Sequence, residues 1–229
     1  MPSPLRKPVL PFILLSCLFN VLVTGSANAQ LGKPEGLYYK SWAIVIGIEH
    51  YLLAPPVPGA IEDAKKVAEA FRRLGFDEVV ELYDKDATSR RLHQLLDDVL
   101  PRKVGRMDRL VIVYVGHAGV TQDAQGKDLG YLVPLDSQVN NVAKAVTVEH
   151  LKEFTRRSAS KHTLLIIDAP IRGWEATAPQ PLSLEGRLAP ESDTERRAVQ
   201  VISAADKGES SIRSEGKSVF LEALCPPHY

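Results

Sequence analysis

The chain has 229 residues, 45% of them hydrophobic and 24% charged, and its 28 basic residues balance 28 acidic ones. This composition is typical of an ordinary globular protein. A formal net charge of zero argues against electrostatic capture of nucleic acids, which requires a clear excess of basic residues.

The first 29 residues have the pattern of a secretory signal peptide. Arg6 and Lys7 precede an apolar run over 9–23, and Ala27 and Ala29 provide the small residues of a cleavage site. We therefore expect cleavage after Ala29 and export of the protein to the periplasm or the extracellular space.

Two alternatives would leave the protein attached to a membrane. The apolar run could remain as an anchor, although Pro11 and Asn20 interrupt it and spanning a bilayer needs about 20 apolar residues. Cys17 could instead be acylated, as in a lipoprotein. Cleavage after Ala29 would leave Cys225 as the single cysteine, so the exported chain would have no internal disulfide and would depend on its core for stability.

After a polar lead-in over 30–40, predicted strands and helices alternate along one domain over 41–229. The predicted strands are apolar runs over 42–48, 78–83, 108–119, 162–169 and 198–205. Helical periodicity follows from Ala60 to Gly75, across the leucines of 92–100, after a capping Thr147, and from 219 to 224. A short extended segment lies at 130–135, and 174–196 has no period and is expected to be a mobile loop.

This alternation predicts an α/β fold, a three-layer αβα sandwich with a mainly parallel sheet. In such a sheet, ligands bind at the carboxyl ends of the strands. His117, Asp168 and Pro170 lie directly after or at the end of predicted strands.

His117 is the best candidate for chemistry, because histidine can act as acid and base near neutral pH. Alternatively, it only caps the strand by bonding a carbonyl. Asp168 either recognises a charged substrate or caps loop amides. The sequence contains no metal-ligand cluster or P-loop, so neither a metal nor a cofactor is expected. The remaining histidines show no second partner at a useful spacing in the sequence, and we interpret them as surface or loop residues: His50, His93, His150, His162 and His228.

Six segments occur in the order found in the caspase and metacaspase superfamily of cysteine peptidases. They are AIVIGIEHY, APPVPGAIEDAKKVAEAF, DRLVIVYVGHAG, GYLVPLD, HTLLIIDA and the pair VISAADKGESS and GKSVF. The chain resembles in particular the bacterial caspase-like members, from residue 40 to about 224. The resemblance implies a caspase-like sheet and a peptide or protein as the binding partner.

The resemblance also implies roles for single residues. His117 corresponds to the catalytic acid and base, and Asp168 to the acid that in metacaspase-like members lines the pocket for an Arg or Lys before the scissile bond. Pro170 stands where the family has its nucleophilic cysteine. Ala118 replaces a usual glycine and would be strained at positive φ.

Proline at the nucleophile position removes a thiol and a backbone N–H that would help to hold the oxyanion. Losing one oxyanion donor costs about 3 kcal/mol, and losing the nucleophile of a comparable triad costs on the order of a millionfold in turnover. We therefore expect an inactive pseudopeptidase that binds a peptide or protein. A purely structural partner that does not use the pocket is another interpretation.

An active hydrolase with an unusual nucleophile, preferring Arg or Lys, is the remaining alternative. Cys225 lies far along the chain from the strand that carries Pro170. Ser158 and Ser160 precede that strand at its opposite end, and Ser203 lies on the fifth predicted strand.

Overall fold

The structure is a computed structural model that describes residues 37–122, 125–171, 196–205 and 211–225. They belong to a compact unit that spans Leu31–Tyr229. The predicted signal peptide lies outside the described residues, as does the predicted loop over 174–196 apart from Arg196. Within the described part of the chain, no helix combines the length and the apolar character needed to cross a bilayer.

A five-stranded parallel sheet forms the centre of the fold. Its strands are β1 (Ser41–Gly47), β2 (Glu78–Tyr83), β3 (Arg109–Val115), β7 (His162–Pro170) and β8 (Ala198–Ala205). The order across the sheet is β2-β1-β3-β7-β8, and each neighbouring pair is parallel. The prediction of a mainly parallel sheet is confirmed.

Helices cover both faces of this sheet and give the predicted three layers. The helices are α1 (Ala60–Arg73), α2 (Ser89–Gln94), α3 (Leu100–Lys103), α4 (Val148–Arg157) and α5 (Val219–Leu224). One buried cluster joins α1 and α5 to one face of the sheet, and a larger cluster joins α2, α3 and α4 to the other. The three central strands β1, β3 and β7 are nearly continuous apolar runs and are largely buried, whereas the edge strand β8 is mostly exposed.

The third strand is shorter than predicted, ending at Val115 instead of residue 119. Gly116 interrupts it where the Tyr51 hydroxyl approaches the backbone: a Cβ at Gly116 would lie 2.4 Å from Tyr51 Oη. The chain then enters a second, antiparallel sheet of β4 (Ala118–Gln122), β5 (Asp128–Leu132) and β6 (Val146–Thr147). The apolar pattern continues across this turn, so the sequence did not reveal it.

Two smaller features also differ from the predicted elements. A π-helical turn over Leu95–Val99 separates α2 from α3, because Pro101 lacks the N–H that would continue regular α-helical bonding. A hairpin of β9 (Arg213–Ser214) and β10 (Lys217–Ser218) precedes α5, and strands of two residues leave no periodicity to detect. The predicted cap at Thr147 is confirmed, since its Oγ1 accepts from His150 N at 3.1 Å.

Burial within the sheet predicts different costs for two truncations. Leu165 on β7 is 2% exposed, whereas Ile202 on the adjacent β8 is 40% exposed. We expect Leu165→Ala to lower the free energy of unfolding by about 2–5 kcal/mol, because it leaves a cavity in the core. Ile202→Ala should cost less than half as much, since water already contacts much of that side chain. Urea unfolding followed by circular dichroism measures both losses, and equal losses would contradict this assignment.

Candidate functional site

His117 lies just beyond the carboxyl end of β3, in the turn that leads to β4. Two buried phenols hold its backbone. Its N–H donates to Tyr51 Oη at 2.7 Å, and Tyr114 Oη lies 2.7 Å from its carbonyl oxygen. Tyr114 also contacts the Val133 carbonyl at 2.8 Å, so one hydroxyl proton serves two acceptors. Hydrogen bonds therefore fix the backbone on both sides of His117, at its N–H and at its carbonyl.

The imidazole ring of His117 is also oriented. Its Nε2 lies 2.9 Å from the Pro55 carbonyl oxygen, and its ring packs at 4.9 Å from the Tyr51 ring, between centroids. A carbonyl only accepts, so Nε2 carries a proton in this contact, and the neutral ring then has Nδ1 as its acceptor. Pro55 thus keeps the ring in place and leaves Nδ1 as the acceptor nitrogen.

Asp168 lies at the end of β7, paired in register with Val115 on β3. Its side chain is fully buried, with 0% exposure. Ser211 Oγ donates to Asp168 Oδ1, and Arg213 Nη1 lies 3.3 Å from Oδ2. Asp168 therefore bonds a hydroxyl and a guanidinium from the segment before α5. Its described contacts do not include the loop amides that a simple cap would bind.

Arg213 joins Asp168 to a second buried acid, Asp63 on α1. Arg213 Nη2 lies 2.5 Å from Asp63 Oδ2 and 2.9 Å from the Gly216 carbonyl oxygen. Asp63 Oδ2 also accepts from Ser218 N at 2.9 Å, and its side chain is only 4% exposed. We call the four residues Asp63, Asp168, Ser211 and Arg213 the arginine cluster. Within it, Ser211 and Arg213 bond the carboxylate of Asp168, to which the resemblance assigned substrate recognition.

Pro170 ends β7 and pairs with Ala205 of β8, after an irregularity in the register that begins at Ile167. It is half-buried, next to the buried Ala169. Ala118 begins β4 and is not strained: among the described residues, positive φ outside glycine occurs only at Asp84 and Glu215. The condition under which Ala118 would be strained is therefore not met, because the turn at His117 does not need the left-handed conformation there.

The other described histidines have partners in the structure that the sequence spacing did not reveal. His50 Nδ1 lies 2.9 Å from Asp84 Oδ2, and His150 Nε2 lies 2.8 Å from Asp97 Oδ1. His93 stacks on His150 with centroids 4.8 Å apart. His162 Nδ1 contacts Tyr38 Oη at 2.5 Å, and His228 lies outside the described residues. The partners come from distant elements, so the local sequence could not identify them.

Sequence reasoning also missed most residues around His117 and Asp168. Asp63 left a signal, because it lies on the otherwise apolar stripe of α1 together with Ala60, Ala64 and Val67, and a buried charge needs a partner. Tyr114 gave a weaker signal in the sequence, because its phenol lies inside a buried strand and a buried hydroxyl usually has a hydrogen-bond partner. Arg213 left none, since it is 45 residues from Asp168 and 150 from Asp63.

The chain was compared with protein-family models, curated proteins and solved structures. The family model described as the caspase domain, Peptidase C14, matches residues 40–226. Among solved structures, the chain is similar to protein GSU0716 from Geobacter sulfurreducens, with 17% sequence identity and a TM-score of 0.47. That match covers 56% of this chain and 50% of the other, so this chain corresponds to about half of that structure. No curated protein matches the sequence.

The phenol at Tyr51 should contribute to stability through the His117 backbone. We expect Tyr51→Phe to lower the free energy of unfolding by about 1–3 kcal/mol, because the partly buried His117 N–H would lose its acceptor. Tyr39→Phe is the matched control, since Tyr39 is 80% exposed. Urea unfolding at pH 7 measures both variants, and equal stabilities would contradict the role of the hydroxyl.

The same phenol predicts a loss of stability in alkali. Burial raises the pKa of Tyr51 from its ordinary value of 10.0 to about 12. Between these values the folded chain keeps a proton that the unfolded chain has lost, so the free energy of unfolding falls as the pH rises. Tyr51 alone should contribute a fall of about 2–3 kcal/mol. The difference between native and Tyr51→Phe stability, measured from pH 9 to 12, should therefore shrink; a constant difference would contradict the assignment.

Proposed function

The chain belongs to the caspase domain family, and we propose that within this family it is a non-catalytic domain that acts by binding a peptide or protein. The observation that carries the proposal is Pro170. It ends β7, at the position that the sequence resemblance assigns to the nucleophile of a cysteine peptidase.

The chemistry of peptide hydrolysis needs more than an oriented imidazole. A thiolate must attack the carbonyl, and backbone N–H groups must hold the negative oxygen that forms. Pro170 has neither a thiol nor an N–H. His117 can accept a proton at Nδ1, but at residue 170 there is no thiol proton for it to take. A site that has a general acid and base but no nucleophile favours a binding role over a catalytic one.

Cys225 is a poor replacement for the missing thiol. It packs in the cluster on the α1 face of the sheet, and burial raises the pKa of its thiol, with a smaller opposing effect of Arg73. A raised pKa disfavours the thiolate. Arg73 ends α1, ten residues beyond Asp63 and about 15 Å from it at 1.5 Å per residue. Cys225 is therefore near the opposite end of α1 from the arginine cluster.

The serine hydroxyls are no better placed. Ser203 Oγ donates to the Ala205 carbonyl at 3.1 Å, and Ser158 and Ser160 bond each other before β7 begins. Ser211 does reach Asp168, but it donates to a carboxylate that also contacts Arg213. Among the described residues, no hydrogen bond connects Ser211 to His117. These contacts support the non-catalytic assignment over a hydrolase with a serine nucleophile.

Purified chain should not cleave fluorogenic peptides that end in Arg or Lys, with or without calcium. The expected rate equals that of His117→Ala, because the imidazole has no nucleophile to activate. Pro170→Cys is the matched comparison, since it restores both a thiol and a backbone N–H at one position. The proposal would be refuted if the native chain cleaved these peptides and His117→Ala did not. If that cleavage persisted after alkylation of Cys225, the Cys225 thiol would be excluded as the nucleophile.

Binding is tested by selecting displayed peptides on the native chain and measuring their affinity for Asp168→Ala. Weaker binding to the variant assigns the ligand to the arginine cluster, as we expect. Unchanged binding would move the ligand to another surface and favour a role in which the cluster is only structural.

We also propose that the protein is exported after cleavage behind Ala29, as the pattern of its first residues indicates. Intact mass spectrometry of the protein from its native host should give a mature chain that begins at Gln30. A retained leader would instead support a membrane anchor, and a lipid-modified chain beginning at Cys17 would support a lipoprotein.

A further inference from the structure

Two imidazole rings stack where α2 meets α4. His93 on α2 and His150 on α4 lie with their ring centroids 4.8 Å apart and an angle of 25° between the ring planes. Both residues are partly buried, and the His150 side chain is 18% exposed, so solvent reaches the pair. Because the histidines belong to different helices, the local ligand spacing from which the sequence predicted no metal could not reveal them.

The neighbours of the two rings determine which nitrogen carries the proton. His93 Nδ1 lies 2.8 Å from the Ser89 carbonyl oxygen, and His150 Nε2 lies 2.8 Å from Asp97 Oδ1. A carbonyl and a carboxylate only accept, so in the neutral rings these two nitrogens are protonated. His93 Nε2 and His150 Nδ1 are then the unprotonated nitrogens, and neither has a hydrogen-bond partner within the described part of the chain.

This arrangement has the features of a histidine metal site. Metal-ligating histidines usually donate their second ring N–H to a carboxylate or a backbone carbonyl, which fixes the tautomer and the orientation of the ring. Asp97 and Ser89 make these two contacts. Two nitrogens that bind one zinc ion at about 2.1 Å each are at most about 4.2 Å apart. Rings with centroids 4.8 Å apart can reach that separation by small side-chain rotations.

Hydrogen bonds between the two helices hold the pair in place. Thr147 Oγ1 accepts from His150 N at 3.1 Å, so His150 lies in the capped first turn of α4. Asp97 lies in the π-helical turn that follows α2, and its Oδ1 also accepts from Arg157 Nη2 on α4 at 2.7 Å. The carboxylate that orients His150 is therefore bonded twice to α4.

We propose that His93 and His150 form a binding site for a divalent transition-metal ion that prefers imidazole ligands, such as Zn²⁺, and that this ion links α2 to α4. Among the described residues, no group of three or more His, Cys, Asp or Glu side chains could hold a metal ion. The protein therefore supplies two ligands, and water completes the coordination. Mg²⁺ and Ca²⁺ prefer oxygen ligands and should not bind this pair. The inference goes beyond the proposed function and does not rest on it.

Isothermal titration calorimetry with zinc chloride tests the inference on the full chain, purified without an affinity tag. His93→Asn and His150→Gln each remove the unprotonated ring nitrogen, but they keep an amide N–H near the atom that donates to Ser89 or to Asp97. Each variant should bind zinc more weakly than the native chain. Loss of a ligand should cost at least as much as loss of an outer-shell partner, about tenfold or more in affinity.

His50→Asn is the matched control. His50 Nδ1 also contacts a carboxylate, Asp84 Oδ2 at 2.9 Å, but its ring stacks on no other imidazole within the described residues. This variant should bind zinc as the native chain does. Combining His93→Asn with His150→Gln should cost little more than either change alone, because both nitrogens hold the same ion.

The inference is overturned if the native chain does not bind zinc, if the double variant keeps the native affinity, or if each single variant loses a separate zinc ion. Nuclear magnetic resonance of the native chain gives a readout without any variant. Zinc should shift the ring proton signals of His93 and His150 and leave those of His50 in place, and calcium should shift none of them. Unchanged His93 and His150 signals would overturn the inference even if zinc bound elsewhere on the chain.

Discussion

Parallel pairing of β1, β3 and β7 is the constraint on which the rest of the structure depends. These three central strands are largely buried, so their backbone N–H and carbonyl groups must pair with each other. This pairing places Gly47 opposite Val115, and Val115 opposite Asp168. Three strand ends therefore reach one edge at the same level. The chain leaves that edge toward Tyr51, toward His117 and toward Pro170, which is why residues distant in sequence form a single region.

Buried charge imposes the second constraint. Asp63 and Asp168 are almost completely shielded from water, and a buried carboxylate is tolerated only with partners. Arg213 supplies one charge to both and links α1, β7 and the hairpin. Removing one member of such a group usually costs more than the group contributes, because a buried charge is left without a partner.

His117 and Asp168 differ in the kind of contacts that surround them. Two phenols and the Pro55 carbonyl hold His117 in one orientation. Asp168 is occupied by the chain's own residues, and Pro170 offers no reactive group. The orientation of His117 and the pairing of Asp168 thus both come from contacts within the chain.

The sequence alone determined the layers of the fold, its five parallel strands and the positions of His117, Asp168 and Pro170 at strand ends. These follow from short-range apolar periodicity, which is written in neighbouring residues. The apolar pattern predicted a β3 strand that is too long, because the bend at Gly116 depends on the approach of Tyr51 and not on the neighbouring residues. Only the tertiary structure decided what the buried carboxylates of Asp168 and Asp63 contact, since their shared partner, Arg213, lies 45 and 150 residues from them along the chain. Ion pairing acts through space and leaves no period along the chain.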